Sequence, residues 1–232
     1  MQAIILAAGA GTRLRGVAPI KPLAIVGGKP LVQHALEGLS KAGATETIVV
    51  LGYEHATVAA VLVGLDVPCR VRTVVNDNWD APNGLSVLAA APFVAGRALL
   101  TMCDHLADPA LYAAVAASPQ GTTLGIDRRI GHPWVDEDDV TRVATKGSRI
   151  TAIGKALPVY DAYDTGVFNL GPGLFEALRA SARPSLSDGM TRLAAAGTAF
   201  AVDTGELAWL DVDDDRAFEI AETWRAVASE PA

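Results

Sequence analysis

Leu6-Ala7-Ala8-Gly9-Ala10-Gly11-Thr12-Arg13-Leu14, followed by Lys21-Pro22-Leu23, is the stretch on which the reading of this chain turns. Residues 3–6 form a short apolar run that reads as a buried parallel strand. The chain then turns through two glycines and a threonine. Gly9 and Gly11 free the backbone for positive φ and for close approach to a ligand. Successive exposed N–H groups in such a turn make a concave anion nest. Leu6, Ala7, Ala8, Gly9, Gly11 and Thr12 are therefore candidate nucleotide-binding positions. Arg13 adds a planar, permanently charged fork for phosphate oxygens, and Lys21 a mobile point charge, so both are candidate catalytic residues. Together they suit a triphosphate. Leu14 stands where the dinucleotide fingerprint needs a third glycine, and the Gly-Lys-Ser/Thr of a Walker A loop is missing.

The composition describes an enzyme-sized soluble chain. Its 232 residues fit one large α/β domain, 1–232, able to bury most of the surface it exposes when unfolded. Half of the residues are hydrophobic, and mean hydropathy is +0.29. No apolar run approaches the ~20 residues that span a bilayer. Met1 leads straight into the first strand, which argues against a signal peptide. A formal charge of −7 argues against a general nucleic-acid binder, which would carry a basic face. Cys69 and Cys103 lack metal-type spacing and read as reduced thiols, so the expected compartment is the cytoplasm.

Strand-like runs at 3–6, 47–51, 70–75 and 98–102 alternate with helical patterns at 31–41, 57–63 and 85–91. That alternation predicts parallel pairing in a doubly wound sheet, with ligands beyond the carboxyl ends of the strands. After residue 120 the style changes. Short strands at 122–127, 140–144 and 149–154 suggest antiparallel additions, with Lys146-Gly147 as a hairpin signal. A strand at 167–170, helices at 174–180 and 190–195, a strand at 200–202 and a helix at 216–227 complete the expectation.

Asp104 follows the apolar run 98–102. A strand-end carboxylate suits a magnesium ion, which prefers oxygen ligands, or it caps the next helix. Asp211 and Asp213 point the same way along an extended segment. An acidic first turn of the final helix explains Asp214 and Asp215. Asn83, Gly84 and Ser86 form either an Asn-Gly turn or a nucleobase pocket. The segments around Lys155 and Asp164 are either ordinary surface loops or an acceptor site, in which Lys155 offers positive charge to a phosphate, Asp164 accepts from hydroxyls, and Gly166 allows close approach. Residues 136–139 read as a solvated loop, and Arg128-Arg129 as an exposed surface pair.

The string L-A-A-G-x-G-T-R-L with K-P-L resembles the nucleotidyltransferases that activate sugar phosphates and related phosphomonoesters. The ordered set T-M-x-D-H, I-G-K-x-L, D-T-G and D-V-D is similar to the CTP:inositol-1-phosphate cytidylyltransferases, with phosphocholine and phosphonate cytidylyltransferases as cousins. The resemblance implies a Rossmann-like three-layer fold and a reaction of CTP with a small phosphomonoester, inositol 1-phosphate for preference. It also implies Mg²⁺ held by Asp104 and Asp213, with Asn83, Gly84 and Ser86 reading cytosine and Lys155, Asp164 and Gly166 binding the acceptor. Cys103 departs from the glycine that many relatives carry there. No membrane domain follows residue 232, so a separate CDP-alcohol phosphotransferase would consume the product. Alternatives are a phosphocholine, phosphonate or sugar-1-phosphate acceptor, nucleotide transfer to a molybdenum-cofactor pterin, and a catalytically silent nucleotide-binding module. The joint presence of Arg13, Lys21, Asp104 and Asp213 speaks against the silent module, and Lys155 with Asp164 against the pterin.

Overall fold

The computed structural model describes residues 1–228, with side chains through 224. Strand β1 (Gln2–Ala7) leads through two short 3-10 turns, Thr12–Leu14 and Lys21–Leu23, into a small hairpin, β2 (Ile25–Val26) and β3 (Lys29–Pro30). The alternating half follows: α1 (Leu31–Lys41), β4 (Glu46–Leu51), α2 (His55–Gly64), β5 (Arg70–Val75), α3 (Gly84–Ala90) and β6 (Ala98–Met102). Next come β7 (His105–Ala107), α4 (Pro109–Ala116), β8 (Thr122–Asp127), β9 (Arg142–Lys146), β10 (Arg149–Gly154) and β11 (Ala162–Leu170). The chain ends with α5 (Pro172–Arg179), α6 (Leu186–Ala195), β12 (Ala199–Asp203), β13 (Trp209–Asp211) and α7 (Asp215–Ala228).

Nine strands form one sheet in the order β5-β4-β1-β6-β11-β8-β12-β10-β9. The pairs β5–β4, β4–β1 and β1–β6 are parallel, as is β8–β12. Strand β11 runs antiparallel to both neighbours, β6 and β8, and β10 runs antiparallel to β12 and β9. This is the expected α/β fold class with antiparallel additions after residue 120, but the sheet is mixed where a mostly parallel one was expected, since β11 and β10 each run against both neighbours.

Alternation along the strands divides the core between two faces. Ile4 and Leu6 of β1, with Ile48 and Val50 of β4, pack against Val87 of α3, Leu178 of α5 and Met190 of α6. Ala3, Ile5 and Ala7, with Val49 and Leu51, pack on the other side against Leu36 of α1, Val58 of α2 and Tyr112 of α4. The three-layer arrangement follows from central strands that are apolar on both faces. A third cluster, including Leu14, Leu31, Leu106, Leu210 and Val212, underlies the Gly-rich turn.

Several elements depart from expectation, among them the short strands β2, β3 and β7, which were not anticipated, and α6, which starts at Leu186 rather than 190. Strand β9 starts two residues late because the Val140 N–H still closes the preceding turn on the Asp136 carbonyl (2.8 Å). Strand β11 starts at Ala162 rather than 167, and its register against β8 shifts between Asp164 and Phe168, so the polar D-T-G sits inside a strand. Helix α4 was not anticipated, although its start carries a signal. Asp108 caps it by accepting from the Ala110 N–H (2.8 Å), and Pro109 opens the first turn.

Candidate active site

The carboxyl end of β1 becomes the floor of a cleft of about 280 Å³. Leu6, Gly9, Gly11, Thr12, Arg13 and Lys21 line one side of it, and Cys103, Asp104 and Asp213 the other. Gly11 has φ +55°, and a Cβ there would lie 2.3 Å from Lys21 Cβ, so glycine lets the Lys21 side chain cross the turn. Gly9 has no such constraint. Its φ is not in the left-handed region and its Cβ direction is empty, so it presents bare backbone to the cleft. Ala7 and Ala8 are buried beneath the turn.

Asp213 reaches the cleft through a pairing that spans half the chain. Strand β13 pairs antiparallel with β7, setting Asp211 opposite His105 and Trp209 opposite Ala107. The Val212 N–H then donates to the Asp104 carbonyl (3.0 Å). Trp209 fastens the ribbon by donating its indole N–H to Asp127 (2.8 Å), a buried carboxylate also gripped by the Arg129 fork. Arg129 thus completes a buried ion pair and is not the surface cation that was expected. Arg128 pairs with Asp161 and Asp203, away from both clefts.

Lys21 is 7% exposed and stands between two aspartates, with Nζ 2.5 Å from Asp104 Oδ2 and an ion pair to Asp213. Burial pulls its pKa down, but Asp104, Asp211 and Asp213 outweigh burial and hold the ammonium charged well above the usual lysine range. Burial and the Asp211 charge hold the Asp213 carboxyl above its ordinary value, against the pull of Lys21. Arg13 adds a second cation by pairing with the other carboxylate oxygen of Asp213, so Asp104, Asp211 and Asp213 face Lys21 and Arg13 together.

Among the described residues, two buried oxygen atoms of this cluster, Oδ1 of Asp104 and Oδ1 of Asp211, are left without a hydrogen-bond partner, which is costly in a folded protein unless a ligand satisfies them. His105 joins them. Its Nδ1 lies 3.0 Å from the Thr165 carbonyl, which directs Nε2 toward Asp211 (3.6 Å) and Asp104 (3.9 Å). Donor atoms of Asp104, His105 and Asp211 lie within 4.8 Å of one another. This donor set fits a divalent cation. It differs from the expected pair in detail, since Lys21 already occupies the space between Asp104 and Asp213.

A second cleft of about 200 Å³ adjoins the first, and Asp213 lines both. Asn83, Lys155, Asp164 and Gly166 face it, together with His105 and Trp134. Burial pushes the Asp164 carboxyl up to about 6, against the opposing pull of the Gly166 N–H (2.7 Å) and His105. Gly166 is glycine for a reason the motif alone does not reveal. Its φ is +73°, and a Cβ would fall 2.0 Å from His105 Nδ1. Gly166→Ala should therefore destabilise the fold by at least about 1–2 kcal/mol from the left-handed backbone alone, read as a lower urea midpoint. An unchanged midpoint would show that His105 can move away freely.

Gly84 and Ser86 lie outside both clefts. Ser86 is 4% exposed and accepts from Asn76 Nδ2 (3.0 Å), while a Cβ on Gly84 would fall 2.4 Å from the Pro184 carbonyl oxygen. Asn83 accepts from the Leu186 N–H (2.9 Å), joining the starts of α3 and α6. The most informative residue that sequence reasoning missed is Asp139. It lies in the stretch taken for a solvated loop, yet it pairs with both Arg13 (2.7 Å) and Lys155. No local signal distinguishes it from its acidic neighbours.

The family model described as MobA-like NTP transferase domain matches residues 3–155. The chain belongs to that family. The family description leaves the acceptor of the nucleotidyl group open. Over 225 residues the chain is 34% identical to a bifunctional IPC transferase and DIPP synthase of Rubrobacter xylanophilus, covering 95% of this chain and 51% of that one. A CMP-5'-(3-aminopropyl)phosphonate synthase of Streptomyces rubellomurinus is 27% identical, covering 92% of this chain and 37% of the relative. The chain thus spans about half the length, or less, of these curated relatives. Among solved structures, the inositol-1-phosphate CTP transferase from T. maritima superposes with a TM-score of 0.88 at 23% identity, covering 100% of this chain and 97% of that one. No helix among the described residues is long and apolar enough to cross a membrane.

Proposed function

We propose that this chain transfers CMP from CTP to inositol 1-phosphate, forming a CDP-alcohol and releasing pyrophosphate. The observation that carries the reading is the junction of the two clefts at Asp213, with Arg13 and Lys21 on one side and Lys155 on the other. A phosphate-binding turn and a separate cation are what a reaction between a triphosphate and a phosphomonoester requires. The names of the relatives over most of the chain support cytidylyl transfer and an inositol phosphate acceptor.

A phosphate oxygen of the acceptor attacks the α-phosphorus in line with the departing pyrophosphate. The new P–O bond forms as the bond from the α-phosphorus to the bridging oxygen breaks, and pyrophosphate leaves with the electron pair. The acceptor is already ionised at neutral pH, so no general base is needed. Positioning and charge neutralisation supply most of the rate. Lys21 stabilises charge at the α-phosphorus, Arg13 holds the outer phosphates, and Lys155 orients the acceptor phosphate. Asp104, with Asp211 and His105 beside it and with Asp213 once Lys21 turns to the α-phosphate, would hold Mg²⁺, which would neutralise triphosphate charge. Asp164 accepts from an acceptor hydroxyl.

A second reading is an aminoalkylphosphonate acceptor, favoured by the carboxylates Asp136, Asp164 and Asp211 in the second cleft, which suit a cationic nitrogen. A panel of acceptors and nucleotides with Mg²⁺ and pyrophosphate detection decides between them. CTP with inositol 1-phosphate should give the highest kcat/KM. Asp164→Ala should raise KM for that acceptor by the equivalent of about 0.5–1.5 kcal/mol while sparing KM for CTP. A higher kcat/KM for an aminoalkylphosphonate or phosphocholine would replace the inositol assignment and recast Asp164 as a partner for the cationic nitrogen.

A further inference from the structure

The loop between β8 and β9, residues 128–141, walls the second cleft with Trp134, Val135 and Asp136. It is tied down at several points. The Gly131 N–H donates to the Tyr163 hydroxyl (2.9 Å), Arg216 donates to the Pro133 carbonyl (2.7 Å), and Trp134 stacks near Trp224 with ring centroids 5.8 Å apart. Its last acidic residue, Asp139, lines the same cleft and reaches Arg13 of the first. One carboxylate oxygen accepts from Arg13 Nη2 (2.7 Å), and the other accepts from Lys155 Nζ. Burial works against ionisation of Asp139, but Lys155 and Arg13 outweigh it and pull the carboxyl down to about 2.

One carboxylate therefore bridges the two cations that the reading above assigns to different substrates, Arg13 keeping a second ion pair with Asp213. We propose that Asp139 is a positioning residue that stands in for substrate phosphate at both sites and so couples the filling of one cleft to the other. The inference rests on the proposed nucleotidyl transfer. The side chains of Arg13, Asp139 and Lys155 are 50%, 28% and 59% exposed, and exposed ion pairs are weak. Asp139 can thus hold both cations in place without competing strongly against a phosphate dianion. When triphosphate takes Arg13, its negative charge repels Asp139 from the junction and leaves Lys155 free for the acceptor phosphate. Filling the acceptor site first frees Arg13 from Asp139 in the same way, leaving it paired with Asp213 alone. By linkage, each ligand then raises the other's affinity by the same factor.

The test titrates α,β-methylene-CTP, which cannot release pyrophosphate, into the wild-type protein and Asp139→Asn. Each titration is run with and without millimolar inositol 1-phosphate, and in parallel with inorganic phosphate. The wild-type protein should bind the analogue about 3- to 10-fold tighter when either phosphate is present. Asp139→Asn should bind it that tightly without added phosphate, and added phosphate should change its affinity less than 2-fold. A response to inorganic phosphate alone supports Asp139's role and moves the acceptor assignment elsewhere. Equal affinity in the two proteins, or coupling of undiminished size in Asp139→Asn, overturns the proposal. Failure of the wild-type protein to bind the analogue at all overturns the nucleotidyl-transfer reading and this proposal with it. A purely structural Asp139 would lower the melting temperature and leave the coupling factor in place, which also counts against it.

Discussion

Asp213→Asn, and separately Asp104→Asn, should each abolish divalent-cation-dependent nucleotidyl transfer while leaving the fold intact. Asparagine keeps the shape of the side chain and removes the charge. Lys21 contacts both aspartates, so either variant leaves its ammonium with one carboxylate partner, and the β7–β13 ribbon keeps its backbone pairing. What disappears is one carboxylate charge from the cluster in which the Oδ1 atoms of Asp104 and Asp211 lack hydrogen-bond partners among the described residues. Calorimetric titration with Mg²⁺ in the presence of the CTP analogue should show loss or strong weakening of cation binding, alongside loss of turnover. An Asp213→Asn protein that turned over normally but melted early would demote Asp213 to a structural neighbour of Lys21.

Lys21→Ala should lower kcat by about 10²- to 10³-fold, or about 2.7–4 kcal/mol, as expected when one preorganised electrostatic group is removed from a water-poor site. The dissociation constant for CTP should change far less, because the outer phosphates are assigned to Arg13 and to the N–H groups of the turn. The same substitution leaves Asp104 and Asp213 facing each other without their shared ammonium. The variant should therefore melt at a lower temperature than the wild type in EDTA and recover part of the loss in millimolar Mg²⁺. A variant with near wild-type kcat would remove Lys21 from the chemistry whatever its effect on melting.

Most of the architecture was legible because its signals are local. Apolar runs of strand length, the amphipathic spacing of α1 and the Gly-rich turn each depend on neighbours within a few residues. Elements lacking such contrast were harder to read. The polar start of β11 carries D-T-G inside a strand because β8 and β9 pair with it, which nothing in that tripeptide signals. Helix α4 was legible in principle from Asp108-Pro109.

The candidate site divides in the same way. The sequence by itself determined the Gly-rich turn, the cations Arg13 and Lys21 beside it, and the strand-end position of Asp104, since each follows from residue type and spacing within one segment. Only the tertiary structure decided which distant groups meet them. Antiparallel pairing of β7 with β13 sets Asp211 beside His105, and Gly166 owes its identity to that imidazole. Arg129 turned inward because Asp127 is buried beneath Trp209. Asp139 differs from its acidic neighbours solely in what faces it, two cations from segments 126 and 16 residues away. Charge on a loop is a local property, but its partner is set by the packing of the whole chain.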